Sequence, residues 1–195
     1  MKLSTHPPKM PQLNKYFFLL ILTYLFTLLG KNQQVLAQAK VSEILKKYTG
    51  TWQGELGIWK ENNLKKRVIM QLQISPTSQP KVWNWIIRYI DKEQTQERKY
   101  ELIIKDESKG YCQIDEKNSI FLDTQLADNK LISCFLVEKS LLTTTYTFTS
   151  KSIAFEVIVS QTSQAKNTGA GQENIPSVVD YGNTVYQKAS LRKRK

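Results

Sequence analysis

Apolar residues recur at every second position along most of this chain. Trp52, Gly54, Leu56 and Ile58 alternate with Gln53, Glu55 and Gly57, and Val68, Met70, Leu72 and Ile74 alternate with Arg67, Ile69, Gln71 and Gln73. Trp83, Trp85, Ile87 and Tyr89 make a third series, and Arg98, Tyr100, Leu102 and Ile104 a fourth. Successive side chains of a strand point to opposite faces, so this period of two predicts strands with one buried and one wet face. Further strands fit at Tyr111–Asp115, Ser119–Thr124, Leu131–Glu138, Leu141–Thr149, Ile153–Ser160 and Tyr181–Leu191. The run Thr143-Thr144-Thr145-Tyr146-Thr147 is β-branched and aromatic, which suits a pleated surface. Turn residues such as Glu61-Asn62-Asn63, Asp128-Asn129 and Ser150-Lys151-Ser152 separate the runs.

Connections this short leave no room for helical crossovers, so consecutive strands pair antiparallel. The predicted fold is all-β: an up-and-down meander of about eight to ten strands, closed into a barrel to remove its two edges. Two segments break the alternation. Val41, Ile44, Leu45 and Tyr48 recur at helical spacing before Gly50, which predicts a short N-terminal helix lying against or plugging the barrel. Gln161–Asp180, with Gly169, Gly171, Asn167, Asn174 and Pro176, reads as a long flexible loop.

The N-terminus has a different character. Tyr16–Leu29 is a run of 14 residues, apolar except for two threonines, after a basic leader (Lys2, Lys9, Lys15) and before Ala37-Gln38-Ala39. Such a run is shorter than the roughly 20 residues that span a bilayer, and the whole reads as a signal peptide cleaved after Ala39. The expectation is a secreted or periplasmic protein with bacterial-type export, meeting the membrane only through residues 1–39. One barrel domain at 40–192 and a basic tail at 193–195 follow. The formal charge of +11 includes four leader lysines and the Arg192-Lys193-Arg194-Lys195 end, so the body carries only a modest positive surface. No nucleic-acid partner is expected from it.

Cleavage would also remove His6, the single histidine. Serine or cysteine triads built on histidine are then excluded, and zinc or copper would have a poor ligand set, so no metal and no cofactor is expected. Cys112 and Cys134 are an even pair in an exported chain and candidates for one disulfide; either can equally serve as a small buried apolar residue. Trp83, Trp85, Tyr89 and Tyr100 fall on inward faces, with Arg98 on the same face as Tyr100. These five are the candidate lining of a pocket for an apolar or amphipathic ligand, the arginine facing an acidic group. Glu156, alone in an apolar run, is expected to point outward.

Gly50-Thr51-Trp52, after a short helix and opening the first strand, resembles the Gly-x-Trp of the calycins, the lipocalin and fatty-acid-binding type of barrel. The resemblance covers about residues 41 to 192. It implies that Trp52 closes one end of the barrel beneath a basic side chain from the last strand, with Arg192 the candidate, and that a small ligand occupies the interior. The second lipocalin motif and the helix between the last strands are missing, and the strand number is closer to the fatty-acid-binding group. Three functional readings stay open to the sequence. A ligand-binding barrel is favoured; a filled barrel acting through its surface and a histidine-free isomerase-type enzyme are the alternatives.

Overall fold

The computed structural model describes residues 40–92, 94–169 and 175–194; the expected signal peptide and the last residue of the basic tail lie outside them. A seven-residue helix, α1 (Val41–Lys47), leads into β1 (Gly50–Lys60), β2 (Asn63–Pro76), β3 (Val82–Ile90), β4 (Thr95–Asp106) and β5 (Tyr111–Asp115). The chain continues through β6 (Phe121–Ala127), β7 (Lys130–Val137), β8 (Ser140–Phe148) and β9 (Ile153–Gln161). A 3-10 turn at Thr162–Gln164, the short strands β10 (Lys166–Thr168) and β11 (Val178–Asp180), and β12 (Asn183–Lys193) complete it. Ten antiparallel strands close into a barrel in which β1 pairs with both β2 and β12.

Hairpin turns form where the sequence places turn residues. Glu61 and Asn62 both take positive φ (51° and 60°) between the paired Lys60 and Asn63, the twist that suits a two-residue hairpin. Gln161–Asp180 departs from expectation: β10 and β11 pair as a small hairpin, with Thr168 opposite Val178 and Asn167 opposite Val179. The β-branched valines supply that strand propensity, which the surrounding glycine, serine and asparagine mask in the sequence.

The two ends of the barrel differ. At the lower end Met70, Leu72, Ile74, Leu102, Cys112, Ile153 and Leu191 are almost completely buried, and α1 plugs the opening with Val41, Leu45 and Tyr48. The plug is tied down by polar contacts. The Ser42 amide and hydroxyl donate to Glu107 Oε1 (2.9 and 3.0 Å), and the Tyr48 hydroxyl donates to the Thr149 carbonyl at 2.6 Å. Trp52 lies beneath, its indole N–H donating to the Tyr48 carbonyl at 2.8 Å and its ring 5.3 Å from that of Tyr48. Gly50 takes a φ of 126°, where side chains are strained, and a Cβ on Gly54 would lie 2.2 Å from the Ser190 carbonyl oxygen. Glycine therefore lets β1 and β12 approach at the barrel's closure.

The cation over Trp52 is Lys193, its Nζ 5.9 Å from the ring, and not Arg192. Register decides this: Trp52 pairs with Lys193 while Gln53 pairs with Arg192, and a one-residue step moves a side chain to the other face. Of the two readings open for the cysteines, the disulfide does not form. Cys112 is fully buried on the inner face of β5, whereas Cys134 is exposed on the outer face of β7, with β6 between them.

The wall is incomplete toward the upper end. β5 pairs with β4 only along Glu101–Asp106, so among the described residues Thr95–Tyr100 has no strand partner on that side. β6 and β7 pair only at Gln125–Ala127 with Ile132–Lys130; among the described residues no ladder joins Phe121–Thr124 to Ser133–Val137. The Leu126 amide donates to the Gly110 carbonyl on the β5 side (2.8 Å), so by alternation the backbone polar groups of Phe121 and Asp123 face β7. Asp123 holds β6 to β5 instead, accepting from Tyr111 (2.7 Å) and Gln113 (2.9 Å).

Candidate functional site

Side chains fill the lower half of the barrel, and the upper half encloses a cavity of about 420 Å³. That volume falls in the usual range of small-molecule sites, roughly 300–1,000 Å³. Its floor is aromatic. Trp85 on β3 meets Tyr146 on β8 edge-on at 5.0 Å between centroids, and Phe155 on β9 lies 5.0 Å beyond. Each comes from the inward face of its strand, where the period of two puts it. Burial pushes the Tyr146 phenol far above its ordinary pKa, so it stays protonated at any physiological pH.

Of the five residues singled out in the sequence, Trp85, Tyr89, Arg98 and Tyr100 line this cavity. Trp83 does not. It shares their face but lies one layer lower, opposite Leu102, within the filled half. Arg98 stands at the rim, exposed to solvent, and its Nη1 donates to the Tyr100 hydroxyl at 3.0 Å. That hydrogen bond raises the arginine pKa further, and the group is cationic at all relevant pH. Burial raises the Tyr89 pKa, and the Arg98 charge opposes that rise.

Among the described residues Arg98 has no carboxylate within salt-bridge distance. Its rim neighbour Lys66 is paired with Asp91 at 2.6 Å, and Arg88 on the outer face with Glu97 at 2.5 Å. Glu116 shares the mouth and acts on Arg98 through space. The opposite wall carries a feature that the period-two pattern does not mark. Thr124, Ser133 and Thr144 stand at one level on β6, β7 and β8; the Thr124 and Ser133 hydroxyls are 2.7 Å apart, and Ser133 pairs directly with Thr144. The alternation of the Thr143–Thr147 run could have placed Thr144 and Tyr146 on one face, and that of β9 Phe155 and Val157. The contact between Thr124 and Ser133 follows the register of the hairpin turned at Asp128-Asn129, with Ala127 opposite Lys130.

Glu156 points outward as expected, between the cavity-lining Phe155 and Val157, and accepts the Tyr186 hydroxyl at 2.5 Å. An inward carboxylate there would have been the best residue for an isomerase-type reaction. Among the described residues no group of three or more His, Cys, Asp or Glu side chains is placed to hold a metal ion.

Comparison with known proteins bears on the fold. No family model matches the chain, and no curated protein sequence matches it. The S-type phycobiliprotein lyase CPES from Guillardia theta is similar in structure, with a TM-score of 0.58, covering 84% of this chain and 98% of that one at 8% identity. The fold is calycin-like. At that identity the likeness is one of fold alone.

Proposed function

We propose that this protein binds a small amphipathic ligand in the upper half of its barrel. The apolar or aromatic body of the ligand rests on Trp85, Tyr146 and Phe155, and an acidic group lies at the rim against Arg98 and Tyr100. The observation that carries this reading is a cavity of about 420 Å³ with an aromatic floor and a single unpaired guanidinium at its mouth among the described residues. The volume speaks against the filled-barrel reading, and the outward Glu156 against the enzymatic one. The lyase of the same fold is by its name a protein of phycobiliprotein chemistry, so a bilin-type chromophore belongs among the ligands tried.

Magnitudes decide which group does what. Arg98 is exposed, and an ion pair in solvent contributes about 0.2–1 kcal/mol. Affinity then rests on burial of the ligand body, at about 25 cal/mol per Å² of apolar surface, and Arg98 sets orientation. Arg98→Ala should weaken an acidic ligand by up to about fivefold and leave its neutral methyl ester unaffected. Fluorescence titration of the acid and ester pair measures this; equal losses for both would refute Arg98 as the partner of the acid.

The compartment belongs to the same proposal. The leader at 1–39 supports export and cleavage after Ala39, and N-terminal sequencing of the protein from its own cells tests it. A mature chain beginning at Lys40 is the expected result.

A further inference from the structure

The hydroxyl band on the wall opposite Arg98 bears on the chemistry of the ligand. Thr124 and Ser133 are buried (4% and 9% exposed) and hydrogen-bonded to each other at 2.7 Å in an otherwise apolar part of the interior. Nothing in the barrel requires them, because replacing both members of such a pair by apolar groups of like shape is close to neutral for stability. Ser133 and Thr144 line the cavity, whereas Thr124 sits behind Ser133.

Their protons can be counted. The 2.7 Å contact admits either hydroxyl as donor, and one arrangement satisfies both protons within the protein: Thr124 donates to the Leu122 carbonyl at 3.3 Å and Ser133 donates to Thr124. Ser133 then turns only lone pairs toward the cavity and acts there as an acceptor. Among the described residues Thr144 makes no side-chain hydrogen bond to protein, so its hydroxyl can donate as well as accept. An acceptor and a donor thus stand side by side on adjacent strands, one layer above the Tyr146 of the aromatic floor.

We infer that the ligand carries, within its body, a hydrogen-bonding group with an N–H or O–H donor received by Ser133, with an amide or lactam using Thr144 as well. A plain alkyl acid would leave both hydroxyls facing hydrocarbon, a loss of about 1–3 kcal/mol for each group stripped of water without a partner. This inference rests on the ligand-binding reading above and narrows it to functionalised ring systems.

The test uses the full chain and three matched sets of acids, with side chains from acetate to valerate so that the ring reaches the band at one length. Indole-3-alkanoates carry the N–H, their N-methyl counterparts lack it, and naphthalene alkanoates report shape alone. Binding is read by displacement of anilinonaphthalene sulfonate and by calorimetry. The expected result is an N–H preference of about tenfold at one chain length. In Ser133→Ala that preference falls to within about twofold, and naphthalene binding is not weakened.

Should Ser133→Ala fail to fold, Thr124→Val serves instead. With its partner gone, Ser133 turns its proton to the cavity and the preference falls. No N–H preference at any length, or a preference that survives both substitutions, would overturn the inference while leaving ligand binding intact. Failure of all three sets and of the sulfonate to bind would instead overturn the ligand-binding reading itself.

Discussion

The same truncation should have very different costs in the two halves of the barrel. Leu72 lies in the filled lower half, opposite Trp52, with no exposed surface. Leu72→Ala removes roughly three methylene equivalents, about 2.4 kcal/mol at 0.8 kcal/mol each, and leaves a void that tight neighbours close only in part. The expected total is about 3–4 kcal/mol. Leu142 on β8 is half-buried and already borders the open cavity, so its truncation enlarges an existing space and gives up few contacts. Leu142→Ala should cost about 1 kcal/mol. Urea unfolding followed by tryptophan fluorescence reads both as shifts in midpoint at constant slope. Equal costs would mean that the upper half is packed as tightly as the lower, and the argument for an internal site would fail.

Three further outcomes follow from the geometry. Cys134 should react with a thiol reagent in the native protein, whereas Cys112, whose thiol burial pushes up to about 12, should react only after unfolding; mass spectrometry of the labelled peptides distinguishes the two. The amides of Phe121, Asp123, Cys134 and Leu136, which face the unladdered seam between β6 and β7, should exchange at least about a hundredfold faster than those of β3, and equal protection would show that the seam is closed. Tyr186 is raised to about 12, first by burial and then by the Glu156 carboxylate that accepts its proton. The native state therefore holds this proton more tightly than the unfolded chain. The stabilisation is complete below about pH 10 and is lost as pH climbs through 12. Tyr186→Phe should flatten that part of the stability curve, and an unchanged slope would separate the phenol from Glu156.

The strands were legible because alternation is a local property, and one buried face imposes it over long runs such as Val68 to Ile74. The plug was legible too, since Val41, Ile44, Leu45 and Tyr48 keep helical spacing up to Gly50. Register was not. Choosing Arg192 over Lys193 beneath Trp52 amounts to a one-residue error in a strand whose partner, β1, lies over 120 residues away in sequence. The same limit hid the fate of the cysteines and the level of Trp83, which shares a face with Trp85 but sits in a different layer. The hydroxyl band was invisible for another reason. Serine and threonine satisfy a strand pattern on either face, and the register of the β6–β7 hairpin, with Ala127 opposite Lys130, brings Thr124 against Ser133.

The central claim is that the upper barrel is a ligand site, and native mass spectrometry of the protein from its own cells tests it most directly. The account predicts a bound small molecule at one per chain, released on mild unfolding, absorbing as a ring system and carrying an acid. A bare chain mass that gains nothing from a lipid and metabolite extract would contradict it.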